Sequence, residues 1–581
     1  MTTYKAAIDD SIFILSKVLN WNKLFSYPAF QHVDEETALA ILTEGAKFCE
    51  QVLSPINAIG DQQGSKLTDG KVHTPDGFKE VYQQYTEAGW QGLDMPEAYG
   101  GQGLPLSVQV AFAEMSNGAC LSFSMLPIML RAAASLLIEH ADSALIDKVV
   151  PQLVSGEYAA TICITEAQAG SDVGRIKTQA IEQQDGNYRL SGSKMFISFG
   201  DHDLSNQIIH LVLARTPEAA AGTRGISLFL VPKLDLESDE GNGVSVSRLE
   251  RKMGLKASPT CVLDLDNAKA YRVGEESRGL QCMFTMVNLM RLETSIQGPA
   301  IASAACRRAL DYSAERLQGG APENRAIAII EHADVRQMLF SMRARTEAMR
   351  ALIYEAAFNL DIAAVEEDQE KVQAARQLAE FLLPVCKAAG SQTGFEVAST
   401  AIQVFGGHGY ISDNGIEQYV RDARVTMIYE GSNGIQALDL LSRKVIRDKT
   451  KRYKLFGARV KADIENFRSN DNCFSMITSL EKGMSLLDDC TFFLMQRAEE
   501  KPRDIEAAAS DYLQFVALIA GGWMWLRMMA CVDTETDFSR TKLASGRYYE
   551  QYLMPEMAVF SERIKFGAET LDAISSEALR V

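Results

Sequence analysis

The stretch RDARVTMIYEGSNGIQALDLL, residues 421–441, holds the residue types best suited to acid–base work. A polar helix is expected to stop before Tyr429 and Ser432-Asn433-Gly434 to break the chain. Asn433, with Gln436 three residues later, then opens the next helix as an N-cap pair. Glu430 then stands just ahead of a helix N-terminus. Burial among Met427, Ile428 and Tyr429 would raise its pKa, while the helix dipole and free N–H groups favour the anion. A carboxylate balanced in this way suits a general base near neutral pH. A glutamate that only stabilises the helix end fits the same spacing, and on spacing alone that plainer role is the simpler reading.

Three other segments could touch a ligand. ICITEAQAGSDVG ends a strand at Thr165 in a Gly-Ser-Asp loop, either a site where backbone N–H groups approach a ligand or a plain β-turn. SGSKMFISFG places Phe196 and Ser198 on one strand face, as an aromatic plate with a hydroxyl or as an ordinary cross-strand core pair. QVFGGHGY has Gly406 and Gly407 after a helix, which admit a phosphate or merely end the helix. His408 reads as a loop histidine, because no second His or Cys lies at metal spacing, and no metal site is expected. There is no G-x-G-x-x-G after a strand, no P-loop and no G-x-S-x-G, so nucleotide triphosphatases and α/β-hydrolases lose their usual support.

The elements that must position these residues follow from periodicity. Residues 1–154 read mostly as helix, with apolar residues every three or four positions. Between about 155 and 278, six short β-branched-rich runs (YAATICITEA, NYRLSGSKMFIS, QIIHLVLAR, GISLFLVPK, VSVSRLE, TCVLDLDNA) predict a small antiparallel β domain. Helical periodicity returns over 279–448 as a bundle of long helices that carries Glu430, and again over 449–581 as an extra helical domain. The predicted fold class is α+β: helical, β, helical, helical.

The 581 residues allow about four units at roughly 150 residues each, and 47% hydrophobic with 23% charged residues is ordinary globular composition. A net charge of −18 gives nucleic-acid phosphates no global attraction. From 441 onward 21 basic residues balance 21 acidic ones, a compositional step that hints at a separate unit. The ten cysteines include no C-x-x-C pair and suggest no disulfide framework, which fits a reducing, cytoplasmic setting. The apolar run Tyr512 to Leu526 meets Arg527 before reaching the roughly 20 residues of a membrane span, so no transmembrane segment is expected.

The order of the pieces carries more information than any one of them: T-E-x-x-x-G-S-D, K-x-F-I-S, K-M-G-L-K-A-S-P-T, A-E-R, Q-V-F-G-G-H-G-Y, then M-I-Y-E-G-S-N-G-I-Q. Over about residues 40–445 the chain resembles the flavin-dependent acyl-CoA dehydrogenases. Its N-terminal segment, IIEHADVRQML and the added C-terminal helices resemble the larger branch of 3-methylmercaptopropionyl-CoA dehydrogenase-type and bacterial fatty acyl-CoA dehydrogenases. The resemblance implies an enzyme with FAD as cofactor and an acyl-CoA substrate. Glu430 would remove the α proton, flavin N5 would take the β hydride, and the product would be a trans-2-enoyl-CoA. The carbonyl would be polarised by the backbone N–H of Glu430 and a flavin hydroxyl. Electrons would pass to electron-transferring flavoprotein.

The same resemblance assigns Ile164, Thr165 and Ser171 to the isoalloxazine and the pantetheine arm, with Phe196 and Ser198 against the flavin ring. It assigns Arg316 to the FAD pyrophosphate, and Gln403, Gly406 and Gly407 to the adenosine half from a second subunit, hence a homodimer. Ser432 and Gly434 fall at flavin contacts, Asn288 and Arg291 near the CoA and acyl pocket, and Tyr429 and Gly431 beside the thioester. The chain departs from the family pattern at Phe196 for Trp and at Gly434 for a common Gln, where one flavin contact is either lost or supplied by Asn433. GGAPENRA is an insertion, and Met290 stands where other types carry an alternative glutamate. Two other readings remain: a DNA-binding flavoprotein that has lost catalysis, and an acyl-CoA oxidase.

Overall fold

The computed structural model describes residues 4–321, 323, 325–533 and 535–581. Contacts divide the chain into two compact units, Met1–Leu42 with Thr294–Val581, and Thr43–Glu293. The cut differs from the four sequence segments, because the N-terminal residues and the whole C-terminal region share a core with the helical bundle.

In the unit Thr43–Glu293, the β region forms a seven-stranded sheet of β3 (Tyr158–Cys163), β4 (Gln179–Glu182), β5 (Tyr188–Ser198), β6 (Gln207–Ala214), β7 (Ser227–Pro232), β8 (Val244–Leu249) and β9 (Thr260–Val273). Its order is β3-β6-β7-β9-β5-β4, with β8 also on β9. The expected all-antiparallel arrangement is corrected at one edge, where β3 pairs with β6 in parallel. β6 and β7 are buried along their whole length, as near-continuous apolar runs require. β4 (QAIE) has a single buried residue, so it gave no apolar alternation to read.

The helical reading of 1–154 also missed a hairpin, β1 (Lys66–Thr68) with β2 (Lys71–His73). Its turn is Asp69-Gly70, both at positive φ (51° and 75°), the Asp-Gly signature of a tight hairpin. Val72 of this hairpin joins the sheet's core with Tyr188, Ile197 and Phe229. Helices α1 (Leu106–Ser124) and α2 (Pro127–His140) are buried almost throughout. α3 (Gly279–Glu315) begins in this unit and continues into the other.

In the second unit, α3 is followed by α4 (Ala333–Val365), α5 (Gln369–Phe405), α6 (Glu417–Thr426) and α7 (Asn433–Leu438), the last continuing in wide π turns through Arg447. α3 and α5 approach backbone to backbone. A Cβ at Gly298 would lie 1.9 Å from the carbonyl oxygen of Gly390, and one at Gly394 would lie 2.7 Å from the Cα of Gly298. Only glycine permits that crossing.

The C-terminal region adds α8 (Pro502–Ala530) and α9 (Asp537–Tyr548). α8 is long and apolar enough to cross a membrane, yet 89% of its most apolar window is buried. Buried polar bonds hold the region in place. Lys542, fully buried, donates to Glu347 at 2.7 Å and pairs with Asp10. Arg527 donates to Glu355 and to the Val18 carbonyl, both at 2.7 Å. Trp525 donates to the Ala344 carbonyl at 3.1 Å. These bonds tie the region to the helical bundle within one compact unit.

Gly298→Ala should destabilise the protein by about 3 kcal/mol or more, because the three atoms nearest the new methyl, Gly390 O and C and Ser391 N, are all backbone. Gly407→Ala, where nothing lies within 4 Å, should change stability by less than about 0.5 kcal/mol. Urea unfolding midpoints of the two variants check this.

Candidate active site

The motif residues fall into one group on each unit. In the unit Thr43–Glu293, the end of β3 is tied to the end of β5. The Met195 N–H donates to the Thr165 carbonyl at 3.0 Å, and Lys194 Nζ to the Ile164 carbonyl at 3.1 Å. A bulge between Lys194 and Ile197 turns Phe196 out at φ 61°, leaving it 57% exposed while Ile197 is buried. The core-pair reading of Phe196 and Ser198 is overturned: Phe196 is an aromatic face presented outward between half-buried Met195 and buried Ile197. Ser198 is half-buried and Ser171 exposed in its loop. Asn288 is exposed and Arg291 half-buried on α3.

Beneath this group lies a pair the sequence reading passed over. Lys194, 0% exposed, donates to Glu166 Oε1 at 2.8 Å and to the Leu213 carbonyl at 2.8 Å. Glu166 also accepts from Thr178 Oγ1 (2.6 Å), Thr178 N (3.1 Å), Lys177 N (2.7 Å) and Gln168 Nε2 (2.6 Å). Burial alone would push this carboxyl up, but the Lys194 ammonium and the donors around it hold it at about 2. The TEAQAGSD loop is thus more than a plain turn, since its glutamate is locked inside the sheet. Both residues sit in the quoted T-E and K-x-F-I-S motifs, and a glutamate and a lysine beside two strand ends were the available signal.

On the other unit, α6 is an amphipathic helix whose next residues turn back sharply. Glu430 (φ 52°) and Gly431 (φ 84°) are consecutive left-handed residues. Ser432 Oγ then accepts from the Ile435 N–H at 3.4 Å and caps α7. The Asn433 N-cap expectation is corrected. Asn433 is the first residue of the helix, and its side chain points inward, accepting from Lys387 Nζ (3.2 Å) and Ser391 Oγ (3.1 Å) and donating to the Ala388 carbonyl (3.2 Å). Its side chain is thus bound to α5.

Gln436 Nε2 donates to the Glu430 carbonyl at 3.2 Å, and Lys387 Nζ to the Gly431 carbonyl at 2.7 Å. Glu430 and Tyr429 are half-buried, while Ile428 is 55% exposed, so the flanking apolar residues do not all bury the carboxylate as expected. The Tyr429 hydroxyl donates to Gln297 Oε1 at 2.5 Å, and burial first, then the Glu430 charge, pushes its pKa up.

At the far end of α5, Gly406 ends the helix, and nothing lies within 4 Å of where side chains at Gly406 or Gly407 would start. Gln403 and Arg316 are exposed. Tyr312 of α3 stacks on Phe405 at 4.1 Å and its hydroxyl is 3.2 Å from His408 Nδ1, which brings the α3 end preceding Arg316 beside this turn. Of the GGAPENRA insertion, Pro322 and Asn324 lie outside the described residues.

With this geometry in hand the comparisons are direct. Residues 35–157, 161–268 and 277–445 match the N-terminal, middle and C-terminal domains of acyl-CoA dehydrogenase, and 456–575 match "Acetyl-CoA dehydrogenase C-terminal like". The chain is 36% identical over 585 residues to 3-methylmercaptopropionyl-CoA dehydrogenase of Ruegeria pomeroyi, spanning 98% of this chain and 99% of that protein. It is 31% identical over 612 residues to a broad-specificity linear acyl-CoA dehydrogenase of Mycobacterium tuberculosis, spanning 98% of each. Caenorhabditis elegans ACDH-11, solved in complex with C11-CoA, shares the fold at TM-score 0.80 and 23% identity over 96% of each chain. The fold and the ordered motifs define a flavin-dependent dehydrogenase of CoA thioesters. The chain belongs to the acyl-CoA dehydrogenase family.

That family is FAD-dependent. Each unit has residues that suit the cofactor: in Thr43–Glu293 the outward aromatic face of Phe196 and the half-buried hydroxyl of Ser198, and in the helical unit the open space at Gly406 and Gly407.

Glu166→Gln should cost about 3 to 5 kcal/mol, because it leaves the Lys194 ammonium buried without its counter-charge. Adding Lys194→Met should restore part of that loss in thermal unfolding. The carboxyl is held at about 2 against 4.5 for an ordinary glutamate, so its contribution is full above pH 4.5 and fades as pH falls toward 2. Acid unfolding of Glu166→Gln should therefore show a shallower pH dependence across that window than the parent.

Proposed function

We propose that this enzyme dehydrogenates acyl-CoA thioesters with linear acyl groups across the α,β bond, giving trans-2-enoyl-CoA, with Glu430 as the base for the α proton. The observation that carries the reading is the conformation of Glu430. A glutamate merely capping a helix needs no left-handed backbone, and here Ser432 already does the capping. A non-glycine residue in that region costs on the order of 1 kcal/mol or more, and such strain collects at functional sites.

The α C–H of a thioester is a weak acid, so the carboxylate needs the developing negative charge on the carbonyl oxygen to be stabilised. The backbone N–H of Glu430 is the donor we assign to that oxygen, which places base and polariser on one residue. Tyr429 and Gly431 border the thioester. FAD, when bound, supplies the acceptor for the β hydride. Thr165, Phe196 and Ser198 would hold the flavin, with Ile164 and Ser171 as further contacts to it and to the pantetheine arm. Arg316 would hold the pyrophosphate, and Asn288 and Arg291 would contact the CoA and acyl group.

Two electrons must then leave, and electron-transferring flavoprotein is the proposed acceptor. The exposed Tyr410 (86%) and Ile411 (52%) beside Gly406 and Gly407 support a homodimer in which a second copy covers them. Ten free cysteines, nine of them buried, support a cytoplasmic location. Among linear substrates, 3-methylmercaptopropionyl-CoA is favoured as one member of the class by the Ruegeria relative's match along the whole chain.

Purified enzyme should show flavin absorbance that a straight-chain acyl-CoA bleaches without oxygen. Rates with an artificial acceptor across butyryl-CoA, longer chains and 3-methylmercaptopropionyl-CoA should rank the substrates, and no turnover with any of them overturns the reading. Glu430→Gln should keep its colour and its acyl-CoA affinity but lose bleaching by at least about 1,000-fold.

A further inference from the structure

We propose that Lys387 is a positioning residue for the base. It holds the Glu430–Gly431 turn by donating to the Gly431 carbonyl, and so fixes the backbone from which the Glu430 carboxylate acts. The proposal rests on Glu430 being the base.

Lys387 sits in the apolar stretch FLLPVCKAAG of α5 and is 0% exposed. An ammonium in such a place is costly unless its protons are taken up by acceptors. Two of its acceptors belong to the base turn: the Gly431 carbonyl at 2.7 Å and Asn433 Oδ1 at 3.2 Å. The same turn of α5 supplies two further anchors for Asn433, Ser391 Oγ at 3.1 Å and the Ala388 carbonyl at 3.2 Å. A second left-handed carbonyl, that of Glu430, is held by Gln436 Nε2 at 3.2 Å.

Strained backbone persists only where its surroundings over-determine it, and here both left-handed residues have their carbonyls bound by side chains. The anchor itself is rigid. Gly390 and Gly394 of α5, within two turns of Lys387, meet the backbone of α3 at Gly298, so α5 cannot slide without breaking that crossing. Position therefore passes from α3 to α5, from α5 through Lys387, Ala388 and Ser391 to Gly431 and Asn433, and from there to Glu430. A charged donor also makes a stronger bond to a carbonyl than a neutral one.

The experiment compares Lys387→Met and Lys387→Gln with the parent holoenzyme, beside Glu430→Gln. Four quantities are read: FAD content with melting temperature, kcat and KM for a straight-chain acyl-CoA, the isotope effect of α-deuterated substrate on anaerobic flavin bleaching, and amide hydrogen exchange over 427–436. Lys387→Met should keep FAD and should leave KM within about two-fold, while kcat falls about 100-fold, as expected when a reacting group is displaced by about 1 Å. The isotope effect should rise, and exchange at 430–434 should quicken at least about ten-fold, as for a turn that opens locally. Lys387→Gln, which keeps a donor without the charge, should recover about ten-fold of the lost kcat; should Lys387→Met fail to fold, this variant decides by the same readouts.

An unchanged kcat, isotope effect and exchange in Lys387→Met, with Glu430→Gln inactive, overturns this inference alone. Loss of FAD and activity in parallel, with no change in isotope effect, makes Lys387 a purely structural residue and also overturns it. Bleaching of Glu430→Gln at the parent rate overturns the base assignment, and this proposal with it.

Discussion

Two consecutive left-handed residues, Glu430 and Gly431, form a conformation that a short turn cannot hold by itself, and much of the helical unit bears on holding it. Gly431 accepts the geometry without a Cβ penalty, whereas Glu430 does not. The cost at Glu430 is offset by hydrogen bonds from Lys387 and Gln436 to the two carbonyls, and by the Ser432 cap that starts α7 immediately afterwards. The carboxylate thus stands on a backbone fixed from both sides, within the turn that α6 leaves and α7 enters.

The same economy of buried charge recurs elsewhere. Glu166 and Lys194 lock the loop after β3 to β5, the strand that presents Phe196. Arg131 is closed in by Asp94 and Glu293. Lys542 and Arg527 join the C-terminal helices to Asp10, Val18, Glu347 and Glu355. In each case a desolvated cation ties together segments far apart in sequence, and removing one partner would strand the other in a medium that cannot solvate it. Such links explain why residues 449–581 share a core with the bundle, even though their neutral composition suggests an independent body.

Where the sequence was legible, the reason was periodicity or a motif that leaves a local imprint. The buried runs QIIHLVLAR and GISLFLVPK became β6 and β7, and the long apolar repeats became helices. The Glu430 turn was visible because Ser432-Asn433-Gly434 is a local chain-breaker. Elements without such an imprint escaped. β4 buries one residue of four, and the β3–β6 pair is parallel because of a crossover that no local pattern encodes. The inward turn of Asn433 was likewise invisible, because it is set by α5, more than forty residues earlier in the chain.

The amino-acid order by itself determined the element types, the ordered family motifs and the position of the base candidate, since each depends on residues near one another along the chain. Only the tertiary structure decided which polar residues hold that base. Lys387 in an apolar helix and Glu166 at a strand end look unremarkable as letters. A buried charge acquires its role from the acceptors that folding brings within about 3 Å of it, and a linear sequence carries no distances between strangers.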